Sequence, residues 1–108
     1  MDRNENKELI TIVVQRGDGQ KAVDAVIAAG APGATFYYAR GTGVRQKLGL
    51  LGRFIEAEKQ VILAVVPVGH SGKVLEALQK TIDLAPGKGF AFVQTVNNVL
   101  GFYSEAGE

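Results

Sequence analysis

The spacing of apolar positions along this chain changes several times, and each change marks an element. "LITIVV", Leu9 to Val14, is short, β-branched and bounded by "QRGDG", which predicts a strand. In "QKAVDAVIAAG" the period lengthens: Val23, Val26, Ile27 and Gly30 share one helical face, with Lys21 and Asp24 away from it. Asp18 is placed to cap that helix, its carboxylate accepting from amides two or three residues on. Gly30 and the Pro32–Gly33 pair end it. "ATFYYAR" reads as an aromatic strand, and "QVILAVV", Gln60 to Val66, is the strongest strand signal, stopped by Pro67 and Gly69. "SGKVLEALQKTI" predicts a second amphipathic helix with Val74, Leu75, Leu78 and Ile82 inward and a Glu76–Lys80 pair on its outer side. A turn at "LAPGKG" leads to the strand "FAFVQTV". "NNVLGFY" is expected to form a short further extended piece, and residues 1–7 and 104–108 to fray.

The resulting order, β-α-β-β-α-β, predicts an α+β ferredoxin-like sandwich: one four-stranded antiparallel sheet with both helices on one face. At 108 residues the chain, 1–108, forms a single domain. A sheet covered on one side should alternate apolar and polar residues. The third strand does not. Val61, Leu63 and Val65 point one way and Ile62, Ala64 and Val66 the other, so a second face needs cover that this chain has no residues left to supply. Other subunits are the expected cover.

Composition narrows the function classes. Twelve Lys and Arg stand against 11 Asp and Glu, a net charge of +1, where a binder that relies on phosphate neutralisation of nucleic acid is usually more basic. The chain contains no cysteine, which excludes disulfides and thiolate sites. "MDRNENKE" has no apolar core of a signal peptide, and no apolar run approaches the roughly 20 residues of a membrane span. A soluble, cytoplasmic protein without direct membrane insertion is expected.

The candidate chemistry is concentrated in two turns. "GDGQKA" fits G-x-G-x-x-A, but the acidic residue expected about 20 positions later is absent, so a turn and helix cap is the better reading. "GHSGKV" fails the P-loop pattern at Pro67 and Val74. His70 has no ligand neighbours, and nothing forms a nucleophile–base cluster, so no reaction is proposed. By contrast, "ARGTGVRQKLGLLGR" holds Gly41, Gly43, Gly49 and Gly52 beside Arg45, Lys47 and Arg53, and "PGKGF" is a tight turn carrying Lys88. Bare glycine amides with cationic donors suit a phosphate group. Phe36, Tyr37 and Tyr38 precede the basic residues and do not interleave with them, which argues against a nucleic-acid partner.

On these residues the chain resembles the PII family of signal-transduction proteins, in its PII-like, nonstandard branch, over Glu8 to Tyr103. "GAPGATFYYARGTGVRQK" is similar to the family's second strand and T-loop lead-in, split here by one extra residue, Val44. "EKQVILAVVP" resembles the strand after the T-loop, and "PGKGFAFV" the B-loop and last strand. The resemblance implies a homotrimer with adenyl-nucleotide sites in intersubunit clefts, and a T-loop, here 41–58, that docks on a target. Carried over by position, it places Thr35, Gly41, Gly43, Arg45, Gln46, Lys59, Gly87, Lys88 and Gly89 at the nucleotide. The departures are chemical. Lys88 stands where the family has aspartate, Phe90 where it has lysine, and Gly101 and Tyr103 where it has two arginines. With phosphate-binding charges lost, ADP or AMP is expected ahead of Mg-ATP with 2-oxoglutarate. There is no tyrosine between Gly41 and Lys59, so uridylylation of the usual kind is not expected.

The expected function is therefore a non-enzymatic regulator of a membrane transporter or of an enzyme of nitrogen or inorganic-carbon metabolism. Lys47, Leu48, Leu50, Leu51 and Arg53 at the loop tip are the candidate docking residues. The rival is the same trimer sensing another small anion or a metal without nucleotide; the lack of cysteine and the single His and Met count against a soft metal.

Overall fold

The computed structural model describes residues 3–41, 58–85 and 87–102. The elements are β1 (Arg3–Gln15), α1 (Gly19–Ala28), β2 (Thr35–Arg40), β3 (Glu58–Pro67), α2 (Ser71–Thr81) and β4 (Phe90–Leu100). They form one antiparallel sheet in the order β2-β3-β1-β4, with both helices on the same face, as the ferredoxin-like reading expects. The two most apolar strands, β1 and β3, occupy its centre.

On the helix side, Ile10, Ile12 and Val14 of β1 and Ile62, Ala64 and Val66 of β3 are all buried under Ala22, Ala25 and Val26 of α1 and Val74 and Leu78 of α2. Period-two alternation leaves Leu9, Thr11, Val13, Val61, Leu63 and Val65 on the opposite face. Phe90 and Phe92 of β4 share that face, ring centroids 6.2 Å apart, and are 55% and 42% exposed. On this second apolar face Val61 is buried, but Leu9, Val13, Leu63 and Val65 stay partly exposed beside the exposed Phe90 and Phe92.

Three local expectations change. β1 reaches back to Arg3, which lies opposite Leu100, so Arg3, Asn4, Glu5 and Lys7 pair with β4 in the stretch where fraying is expected. "NNVL" continues β4 without forming a separate piece, and Gly101, at φ +85°, turns the chain away. α1 buries Ala22, Ala25 and Val26, while Ile27 is half exposed. The alanines let the helix axis approach the sheet closely, which rotates the buried face from the one the larger residues suggest.

The cap of α1 also differs. Asp18 occupies the N-cap position but its side chain makes no capping bond. Gln60, from β3, takes that role: its Oε1 accepts from the Gly17 amide at 3.2 Å and the Gly19 amide at 2.6 Å. Gln60 is buried, and this pair of bonds satisfies its carbonyl. A Cβ at position 19 would come within 2.6 Å of the Gln60 Cδ, so glycine there is what admits the distant cap.

Candidate functional site

Both turns that the sequence singles out leave the same end of the sheet. β2 ends at Arg40 and β3 begins at Glu58, so segment 42–57 is rooted there. The 87–89 turn reaches the same end against β1: a Cβ on Gly89 would lie 2.7 Å from the Val13 carbonyl oxygen and 3.4 Å from the Val14 Cα. Only glycine fits so close to another backbone. Gly87 has φ +87°, the left-handed region that favours glycine, and the Lys88 amide closes the turn on the Ala85 carbonyl at 2.9 Å.

Lys88 is not aimed outward. Its Nζ sits 3.0 Å from Asp83 Oδ2, while Asp83 Oδ1 accepts from the Ala85 amide at 3.0 Å. The Ala85 amide first, and then Lys88, hold the Asp83 carboxyl below its ordinary range. A phosphate that recruits Lys88 has to exchange with this carboxylate.

Lys59 lies on the open face opposite Ala39 and Gln15, and a Cβ built at Gly41 would lie 3.7 Å from its Cγ. In one protomer, β2 and β4 are separated by three strand spacings, about 14 Å. Thr35 is farther from the turns: it begins β2, and Gly41 follows that strand's end, about 20 Å along the chain direction. Thr35 instead lines an open cleft of about 620 Å³ with Leu9, Pro32, Leu63, Val65 and Phe102. Gly43, Arg45 and Gln46, and the docking candidates Lys47, Leu48, Leu50, Leu51 and Arg53, lie outside the described residues. One protomer therefore brings Gly41, Lys59, Gly87, Lys88 and Gly89 to one end and holds Thr35 in a separate cleft.

The sequence reading missed four residues. Lys7 is buried, with its Nζ 5.1 Å from the centre of the Phe102 ring, which it holds as a wall of the Thr35 cleft. Arg16, Arg40 and Glu58 form the last rung of the sheet, where Glu58, placed by the resemblance in the 41–58 loop, is instead the first residue of β3. A register would have revealed this rung; spacing alone did not. Among the described residues no group of three or more His, Asp or Glu is arranged to hold a metal, and no helix is long and apolar enough to cross a membrane.

The chain matches the family of Nitrogen regulatory protein P-II over residues 7–105, and it belongs to that family. Among solved structures it is similar to a PII-like signalling protein from Thermus thermophilus, at 26% identity and TM-score 0.67, covering 93% of this chain and 94% of that one. It is also similar to CPII of Thiomonas intermedia K12, solved with ADP and bicarbonate, at 25% identity and TM-score 0.66, covering 91% of each. GlnK of B. subtilis, solved with ATP, shares the fold at 23% identity and TM-score 0.60, covering 84% and 82%. No curated protein matches the chain.

Proposed function

We propose that this protein is a PII-like regulator that binds ADP or AMP between the subunits of a homotrimer and signals to a target through segment 42–57. The observation that carries the reading is the division of the site. The Thr35 cleft and the glycine turns sit too far apart in one protomer to grip one mononucleotide, and this reading takes each as half of a shared pocket. Assembly through the partly open face supplies the missing proximity. That face is the apolar side of β1 and β3 with Phe90 and Phe92, whose full burial is worth about 1.5–3 kcal/mol per large side chain.

In this arrangement the apolar cleft takes the base, with Thr35 as its polar contact. Gly87 and Gly89 expose amides to the phosphates, and Gly41, Gly43, Arg45, Gln46 and Lys59 complete the grip. CPII of Thiomonas intermedia K12 supports ADP with bicarbonate as the ligand pair to test first. The target is a transporter or an enzyme of nitrogen or inorganic-carbon metabolism, met in the cytoplasm by Lys47, Leu48, Leu50, Leu51 and Arg53. Ligand-dependent ordering of the segment changes the surface offered to that target.

Calorimetry with ADP, AMP, ATP and bicarbonate tests the ligand, alongside light scattering for the assembly. Wild type should bind ADP or AMP as a trimer, and Arg45→Ala and Thr35→Ala should each weaken binding about tenfold or more, the loss of one charge-assisted or buried contact. A monomer that takes up no nucleotide ends this reading.

A further inference from the structure

The end of the sheet carries a charged rung that the nucleotide reading does not use. Arg40 of β2 lies opposite Glu58 of β3, and the Arg16 amide donates to the Glu58 carbonyl at 3.3 Å, so the three backbones sit side by side. Their side chains all project on the helix side, the face shared with Tyr38, Gln60 and Val14 one rung inward. Glu58 stands between two guanidiniums. Its Oε1 accepts from Arg16 Nη1 at 2.8 Å, while its Oε2 is 3.6 Å from Arg40 Nη1, beyond hydrogen-bond range. The three residues line, with Tyr38 and Ala39, an open pocket of about 330 Å³.

We propose that Arg16 and Arg40 form a second anion site, for a phosphate-type oxyanion, in which Glu58 is the internal competitor that the ligand displaces. The charge count favours it, since two guanidiniums facing one carboxylate leave an excess of one positive charge. The geometry favours it as well: a single carboxylate satisfies Arg16 and reaches Arg40 only as a loose ion pair. A tetrahedral dianion has oxygens for both planar forks at once. Tyr38 forms a wall on which a ring attached to the phosphate can lie.

Exchange at this rung has a structural consequence. Arg40 and Glu58 are the residues at which segment 42–57 leaves and re-enters the sheet, and Arg16 ties them to the end of β1. A bound oxyanion takes over both guanidiniums and frees the Glu58 carboxylate, so the root of the segment reports oxyanion occupancy separately from the nucleotide clefts.

The test is a titration of wild type, Glu58→Gln, Arg16→Ala, Arg40→Ala and Lys88→Ala with inorganic phosphate at constant ionic strength. It is read by calorimetry and by the side-chain nitrogen resonances of Arg16 and Arg40. All three rung side chains are about half exposed or more, so the variants keep the fold, which circular dichroism verifies. Glu58→Gln removes the competing charge and should tighten phosphate about tenfold. Arg16→Ala and Arg40→Ala should weaken it about tenfold or more, and Lys88→Ala should leave the resonance shifts intact. A second arm uses phenyl phosphate. Tighter binding than phosphate, abolished by Tyr38→Ala, identifies a ring-bearing phosphate as the ligand, and equal binding identifies free phosphate. The proposal is overturned if Glu58→Gln binds phosphate no better than wild type, or if the two arginine resonances do not move. ADP titrated into the same samples separates the readings, because failure to bind ADP leaves the phosphate response where it was.

Discussion

Ile62 and Leu63 are neighbours on β3, both aliphatic and both in the central pair of strands, yet they belong to different structures. Ile62 is fully buried between β2, β1 and the helices, while Leu63 looks out over the opposite face beside Thr11 and Thr35. The helix side is complete within one chain. The open side carries the same kind of residue, left only partly covered at Leu9, Leu63 and Val65. Apolar content therefore reads two separate requirements along one strand, folding on alternate residues and, in the proposed trimer, assembly on the residues between.

The largest effect that can break this comparison is on the closed side. Ile62→Ala should cost about 2–5 kcal/mol, seen as a lower urea midpoint at every protein concentration. Leu63→Ala should cost the isolated chain much less and appear instead as a concentration-dependent loss of assembly. Equal, concentration-independent losses for the two variants would show that the two faces do not divide the labour.

Next in size is the turn that joins the two sides. Gly89→Ala places a methyl group 2.7 Å from the Val13 carbonyl, so the turn or β1 must shift, at about 1–3 kcal/mol. Because the displaced turn is also half of the proposed phosphate grip, ADP affinity should fall with it. Gly33→Ala is the control: a Cβ there meets nothing within 4 Å, and stability should be unchanged within about 0.5 kcal/mol.

The cap of α1 gives a smaller contrast. Gln60→Ala strands the Gly17 and Gly19 amides and should lower stability by about 1–2 kcal/mol, whereas Asp18→Ala, at the nominal cap, should stay within about 0.5 kcal/mol. Thermal unfolding of the two variants side by side reverses the expectation drawn from local sequence.

That reversal marks where the sequence is legible and where it is not. Strand identity, the two-faced pattern of β3 and the inward positions Val74, Leu78 and Ile82 follow from period alone, because each is decided by residues close in the chain. The tight turn at Gly87, Lys88 and Gly89 is visible for the same reason. Gln60 as a cap, and the Arg40–Glu58–Arg16 rung, each depend on which residue of one strand faces which residue of another. Those are pairings at separations of 18 to 43 residues that local spacing cannot encode. Lys88 was legible as a cation but not as a partner of Asp83. Its site is a matter of side-chain competition.

The smallest predicted effect is also the most specific to that competition. Asp83 is held below its ordinary pKa of 3.8 by the Ala85 amide and then by Lys88. A carboxyl whose folded pKa is depressed adds stability above its unfolded pKa, and that contribution is lost as pH falls through the lower folded value. Stability should therefore decline with acid from about pH 3.8 downward, by an amount that Asp83→Asn removes. Carbon NMR of the carboxyl reads the same quantity directly. Lys88→Ala should raise the Asp83 pKa only part of the way, since the Ala85 hydrogen bond, the larger cause, survives. Saturating ADP should do in wild type what that substitution does, because a phosphate that draws Lys88 away leaves Asp83 with the amide alone. If ADP binds and the Asp83 titration does not move, Lys88 takes no part in the grip, and the turn contributes only the backbone amides of Gly87 and Gly89.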